Sequence, residues 1–471
     1  MIALLAAALL AGCSGSSSGG VARVTAHVTI STVKRYQRIA GFGVSEGFGQ
    51  AKTLMSAPAS VQQQVLSLLY SPTRGAGLTI LRNEISADAG FTIEPRAPAS
   101  PAGNPSYLTL AEVGQDQGQL WFAKQIKADY GVSDVFADAW SAPAFMKTND
   151  SAIKGGTVCG VPGASCKNGD WRQAYASYLV QYAKDYAAAG VPLSYVGPEN
   201  ETTIAPAQDS MIMSPAQTAN LMGVLGATLA RSGLATRAEC CASINWTYAQ
   251  QFAAAIETDK AANTATALFT SHGYFVSLNS PLTGWSKPVW ETEWAPFGTQ
   301  PWDPAWDDGS PSSGFTWAQN IYTSLAEADL GAFLYLWGAN TSTSTITGPN
   351  TGLVDVRGNT VAASGRLWAF AGYSRFVRPG AVRIGATTSA TGLDVTAFRN
   401  TDGSIAVVVL NTVHSRQVVA FSLPGLSGAH VTPYLTDTSH QLSAQSPITV
   451  SNSAFTATLP PRSLVTYDIR S

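Results

Sequence analysis

Along residues 39–373, short apolar runs alternate with longer stretches of helical periodicity, the pattern of repeated βα units. The runs fall at 39–44, 77–82, 132–140, 193–197, 239–244, 267–274, 287–294 and 331–337. Eight of them predict an α/β protein, specifically a closed (β/α)8 barrel. The clearest helix spans 171–189. There Tyr175, Tyr178, Leu179, Tyr182 and Ala183 recur on one face and Gly190 ends the run, so this stripe reads as core packing and not a ligand site. After Tyr373 the period changes. Runs at 381–384, 393–398, 404–410, 417–421, 430–435 and 464–469 read as strands with no helix between them, separated by turns such as Asn400-Thr401-Asp402-Gly403. They predict an all-β sandwich over 374–471, which the β-rich residues 21–38 join.

The first ten residues are almost wholly apolar, too short for the ~20 residues that cross a bilayer. They read as a secretory signal. Leu10-Ala11-Gly12-Cys13 resembles the bacterial lipobox, which implies a lipidated Cys13 followed by a flexible tether to residue 20, although no Lys or Arg precedes the apolar run. The expected location is outside the cytoplasm, lipid-anchored at the cell envelope or secreted, with membrane contact only through that lipid. Five cysteines less Cys13 leave four. Cys159 and Cys166 lie in a Gly-rich loop that closes easily as a disulfide, whereas adjacent Cys240 and Cys241 are compatible with a vicinal disulfide or two thiols. Their spacing does not suit zinc.

Composition narrows the function classes. With 45% hydrophobic and 12% charged residues the chain is not disordered, and a net charge of −2 offers no footprint for nucleic acid. Twelve Trp and sixteen Tyr supply flat faces suited to sugar rings, though most belong in a core.

In such barrels catalytic groups emerge at the C-terminal ends of strands. Two strands end in carboxylates, at Glu199-Asn200-Glu201 and at Glu291-Thr292-Glu293. Glycosidic cleavage needs one carboxylic acid to protonate the leaving oxygen and one carboxylate to meet the anomeric carbon. The separation, 293 − 201 = 92 residues, is about three βα units of ~30 residues each, so the two strands face each other across the barrel. Strand alternation puts both members of each Glu-x-Glu pair on one face, and periodicity alone does not choose between them.

At these residues the sequence resembles glycoside hydrolase family 30, within its branch of fungal and bacterial xylanases. The similar stretches are Arg38-Ile39-Ala40-Gly41-Phe42 through Ser45-Glu46-Gly47-Phe48, Leu81-Arg82-Asn83-Glu84, and the run from Ala137 to Asn149. Asp170-Trp171-Arg172, Ser271-His272-Gly273-Tyr274, Tyr335-Leu336-Trp337-Gly338 and Arg366-Leu367-Trp368 follow in the family's order. The resemblance implies Glu201 as acid/base and Glu293 as nucleophile in a retaining double displacement. It further implies that Asn200 holds a sugar hydroxyl and that Arg82 and Tyr274 keep Glu293 ionised. Trp140 and Trp337 would then form the apolar wall and floor. His272 either lines the cleft or is a hydrogen-bonded strand end. No metal or cofactor is implied, since proton transfer and carboxylate attack suffice.

Two positions depart from the pattern: Thr202 stands where the family usually has Pro, and Gln50 where some members carry an Arg that reads a glucuronate branch. An amide lacks the charged fork that grips a carboxylate. The expectation is a monomeric, exported hydrolase of β-1,4-linked xylan in plant cell walls, endo- or exo-acting. The alternatives are the same chemistry on β-1,6-glucan, a β-glucoside or a β-fucoside, and, more distantly, an inactive glycan-binding lipoprotein.

Overall fold

The computed structural model describes residues 23–297, 300–341, 348 and 350–470. Cys13 and the tether lie outside them. After a long strand β1 (Ala26–Arg38), eight parallel strands form the barrel: β2 (Gly41–Ser45), β3 (Ile80–Ile85), β4 (Asp134–Ala139), β5 (Tyr195–Gly197), β6 (Arg237–Ser243), β7 (Thr266–His272), β8 (Val289–Glu293) and β9 (Ala332–Asn340). β9 pairs with both β8 and β2, which closes the ring. All eight predicted runs are strands here. A hairpin that the runs did not predict, β10 (Gly352–Arg357) and β11 (Thr360–Ala363), extends the C-terminal half of β9.

The barrel interior is layered by the two-residue period of its strands. At the N-terminal end Ile80, Phe136, Tyr195, Leu268, Trp290, Ala332 and Leu334 form a separate apolar cluster. Two residues further along their strands, Ile80 gives way to Arg82, Phe136 to Asp138 and Leu268 to Thr270, all fully buried. Apolar closure at one end thus turns into a buried polar layer at the other. The helix predicted at 171–189 spans Arg172–Ala188, and Tyr175, Tyr178 and Tyr182 on its inner face are at most 1% exposed. Their hydroxyls reach the loops at the polar end: Tyr175 donates to the Pro198 carbonyl at 2.7 Å and Tyr178 to that of Ser86 at 2.9 Å.

The remaining strands are β12 (Val382–Thr388), β13 (Leu393–Arg399), β14 (Ile405–Asn411), β15 (Gln417–Ser422), β16 (His430–Thr436), β17 (Ser443–Ala444), β18 (Ile448–Thr449), β19 (Ala454–Leu459) and β20 (Ser463–Arg470). They form one sheet curled around a core that includes Val28, Ile30, Val407, Val409, Phe421, Phe455 and Tyr467. β1 belongs to this sheet, antiparallel to β12 and parallel to β15. It runs to Arg38, longer than the apolar pattern predicts, through two register shifts. The sheet packs beside the barrel: Arg462 bonds Asp307 through two nitrogens at 2.8 Å, and its carbonyl accepts the Trp306 indole N–H at 2.8 Å. Cys159 is bonded to Cys166, and Cys240 to Cys241. Among the described residues no helix is long and apolar enough to cross a membrane.

Candidate active site

Arg82 on β3 organises the polar end. Its guanidinium donates from Nε to Asp138 at 2.7 Å, from Nη2 to the Asn200 carbonyl at 2.6 Å, and from Nη1 to Glu293. The Trp140 ring lies 4.5 Å from the guanidinium carbon, a cation–π contact. Tyr274, two residues past β7, donates its hydroxyl to Glu293 Oε1 at 2.9 Å. His272, the last residue of β7, places Nδ1 2.7 Å from Glu201 Oε1 and Nε2 3.9 Å from Glu293 Oε2. Glu201, His272 and Glu293 bring ligand atoms within 4.8 Å of one another. The eight residues singled out from the sequence, Arg82, Trp140, Asn200, Glu201, His272, Tyr274, Glu293 and Trp337, therefore gather at one end of the barrel.

The two Glu-x-Glu pairs separate for local reasons, and the same-face expectation fails for the first. β5 ends at Gly197, so alternation does not extend through Pro198-Glu199-Asn200-Glu201. Glu201 takes a left-handed φ of 50° while its N–H donates to the Ala242 carbonyl at 3.0 Å. This turns its carboxyl into the mouth. Glu199 instead accepts from Thr218, on the helix Pro215–Ser232, at 2.6 Å, and burial pushes its pKa up to about 8. On β8 a register shift against β7 falls between Glu291 and Glu293, which pair with the adjacent Ser271 and His272. Glu291 lies deeper, accepting the Leu334 N–H at 3.0 Å.

The two facing carboxyls differ in charge preference. Burial raises the pKa of Glu201, and the neighbouring Glu293 charge raises it further, with only Arg82 opposing. Burial also raises Glu293, but the Arg82 charge, the Arg82 hydrogen bond and the Tyr274 hydrogen bond all pull it back. Of the pair, Glu201 keeps the proton. Burial and the adjacent Arg82 hold His272 well below the ordinary histidine range, so its ring is neutral. The Arg82 cation in contact with Glu293 also disfavours a further cation between the carboxyls. The cluster of Glu199 with Cys240 and Cys241 offers no thiolate, because both sulfurs are in a disulfide.

Sequence reasoning missed three features. Phe48, in the loop after β2 with a φ of 50°, stands edge-on to Trp140 at 5.2 Å and to Trp337 at 5.9 Å. Trp337 is 1% exposed, so Phe48 shares the wall expected of the two tryptophans. Beneath Arg82, Asp138 is hydrogen-bonded to Glu239, whose other oxygen accepts from Thr270 at 2.6 Å. Burial, then the Asp138 charge, hold Glu239 protonated. β5 runs between β4 and β6, and Gly197 lies beneath both carboxyls. Finally, Gln50 is fully buried, and its carbonyl accepts from the Thr341 N–H at 3.0 Å and hydroxyl at 2.6 Å. It is tied to the loop after β9 instead of facing the cleft.

Residues 102–280 match the O-glycosyl hydrolase family 30 profile, and residues 380–467 match that of the glycosyl hydrolase family 30 beta sandwich domain. The catalytic domain of a family 30 xylanase C from Talaromyces cellulolyticus superposes with a TM-score of 0.87 at 42% identity, covering 94% of this chain and 100% of that one. The chain belongs to glycoside hydrolase family 30. The curated relatives it resembles are named for different substrates. An endo-1,6-beta-D-glucanase from Neurospora crassa is 24% identical over 416 residues, 82% of this chain and 80% of that protein. A glucuronoxylanase from Bacillus subtilis is 28% identical over 151 residues, about a third of each chain (32% and 33%). This family 30 member is a glycoside hydrolase with a (β/α)8 barrel and a β-sandwich at its side.

Proposed function

We propose that this enzyme cleaves β-1,4-linked xylan with retention of configuration, Glu293 acting as nucleophile and Glu201 as acid/base. The carrying observation is the approach of their carboxyl oxygens to within 4.8 Å at the mouth of the barrel. Retaining enzymes hold the two carboxyls ~5–5.5 Å apart, whereas inverting ones leave ~6.5–9.5 Å for a water. In the first step Glu293 bonds to the anomeric carbon as the glycosidic C–O bond breaks and Glu201 gives its proton to the departing oxygen. In the second, Glu201 takes a proton from water, the water oxygen bonds to the same carbon, and Glu293 leaves.

Surrounding side chains set this up. His272 Nδ1, 2.7 Å from Glu201 Oε1, shares one hydrogen bond with that carboxyl and fixes its orientation in the mouth. Arg82 has donors only, so it fixes the Asn200 carbonyl toward itself and frees the Asn200 NH2 for a sugar hydroxyl oxygen. Trp140, Phe48 and Trp337 form the apolar side of the cleavage position. Xylan is favoured over β-1,6-glucan by the 42% identity, over nearly the whole chain, to the Talaromyces xylanase, against 24% for the Neurospora glucanase. Inward-facing Gln50 supports cleavage that does not depend on glucuronate. We further place the enzyme outside the cytoplasm, tethered through Cys13.

The test is proton NMR of the first-formed sugar, with product analysis on plain xylan, glucuronoxylan and β-1,6-glucan. A β-anomer appearing first, with similar rates on both xylans, is the expected result. An α-anomer refutes the mechanism, and preference for the glucan refutes the substrate.

A further inference from the structure

Most of the chain's 17 phenylalanines lie in its cores, yet two are exposed among the described residues, Phe275 at 84% and Phe297 at 52%. Both flank Tyr274, the residue bonded to Glu293. Their rings lie 6.2 Å and 4.8 Å from the Tyr274 ring, on the loops after β7 and β8. Phe275 is held outward by an unfavourable backbone. The Val276 N–H donates to the Tyr274 carbonyl at 2.8 Å, closing a three-residue turn whose centre, Phe275, has a φ of 65°. A γ-turn with positive central φ is the rare, strained form, and a bulky residue there is uncommon. Such strain persists where it serves a ligand. A ring that is both strained into place and left in water gains nothing for the fold.

We infer that Phe275 and Phe297 form a sugar-binding subsite beyond the cleavage position, taking a neutral pyranose unit of the same glycan chain. The strip continues from the nucleophile through Tyr274, so its natural occupant is the polymer already held at Glu293. The loops carry no charged residue across 273–286 or 294–302, which suits an uncharged sugar and not an acidic branch. Flat aromatic faces stack on the C–H face of a pyranose and add modest affinity at each ring. This inference rests on the proposed function for the identity of the glycan, while its geometry does not.

The test compares short and long substrates in Phe275→Gly, Phe297→Ala and the double variant. Glycine adopts positive φ without penalty, so Phe275→Gly folds with an unchanged or higher melting temperature. Hydrolysis of an aryl β-xyloside stays within about twofold of wild type, while kcat/KM on xylohexaose falls about 2- to 12-fold per ring, mainly through KM. An unchanged ratio of long to short substrate overturns the subsite. So does dissociation of a dimer in sedimentation with that ratio unchanged, which would assign the rings to contact between copies. If the wild type prefers β-1,6-glucohexaose, the same ratio is read on that series. If it cleaves neither, the proposed function fails, and xylohexaose titrated into wild type and double variant still decides the rings, equal affinity overturning the subsite.

Discussion

The two ends of the barrel interior are built from the same strands and do opposite work. At the N-terminal end Trp290 stands edge-on to Phe136 at 5.9 Å and to Tyr195 at 5.4 Å in an apolar cluster, where the nearest charge, Arg237, lies over the Tyr195 ring at its rim. Two residues on, Arg82, Asp138, Glu239 and Glu293 crowd ionisable groups into burial, with Glu201 partly open to the mouth. Burying charge is unfavourable unless each group finds partners, and even then contributes little to stability. The lower end therefore supplies the stability that lets the upper end hold groups whose pKa values are displaced. Stability and chemistry sit one side chain apart on each strand.

Substitutions at the two ends sharpen or break this division. At the polar end, Glu293→Gln lowers kcat by about 10⁴-fold or more, the scale of losing a covalent nucleophile, while the melting temperature holds. A comparable loss in Glu291→Gln, with Glu293→Gln active, would move the chemistry one pair deeper and dissolve the contrast. Glu201→Ala lowers hydrolysis of xylan about 10²- to 10⁴-fold, and much less that of a dinitrophenyl glycoside, whose leaving group needs no proton. Azide restores turnover of the latter; failure of both results removes Glu201 as the acid. At the apolar end, Phe136→Ala destabilises by about 3–5 kcal/mol in denaturant unfolding, while the folded fraction keeps the wild-type pH profile. A shifted profile there would show that the layers are coupled.

The smallest effect is the most diagnostic. In the proposed mechanism activity requires Glu293 ionised and Glu201 protonated, so it is expected to rise through the pKa of Glu293 and fall through that of Glu201. Tyr274 lowers the Glu293 pKa. Tyr274→Phe removes that influence, raises the pKa, and moves the acid limb of kcat/KM upward by about one pH unit. The basic limb stays where Glu201 sets it. An acid limb that does not move would mean that Arg82 alone holds the nucleophile.

Much of this was legible because period and position carry it. All eight barrel strands follow from apolar runs buried on both faces, and the catalytic candidates follow from carboxylates at strand ends. What escaped did so for physical reasons. β10 is buried up to Val356, but Gly352, Asp355 and Arg357 break up its apolar run, and β11 is a half-exposed strand of four residues. β19 does alternate, as Ala-Phe-Thr-Ala-Thr-Leu, but small residues mute the signal. Glu199 and Glu201 read as equivalent until the strand ends at Gly197 and a left-handed residue turns one of them inward. Phe48 and the Asp138–Glu239 pair come from separate strands or loops. No local pattern announces a contact made only by closing the ring.

Gly197 illustrates such a contact. Its φ is not among the left-handed ones, so its own backbone does not call for glycine. A methyl there would stand 1.5 Å from Glu239 Oε1. The constraint comes from the neighbouring strand: alanine there requires the Glu239 carboxyl to move away from Asp138, which is then held by Arg82 alone. A side chain that is missing thereby keeps the arginine's support in place, and tolerance to change at residue 197 should follow whatever stands at 239.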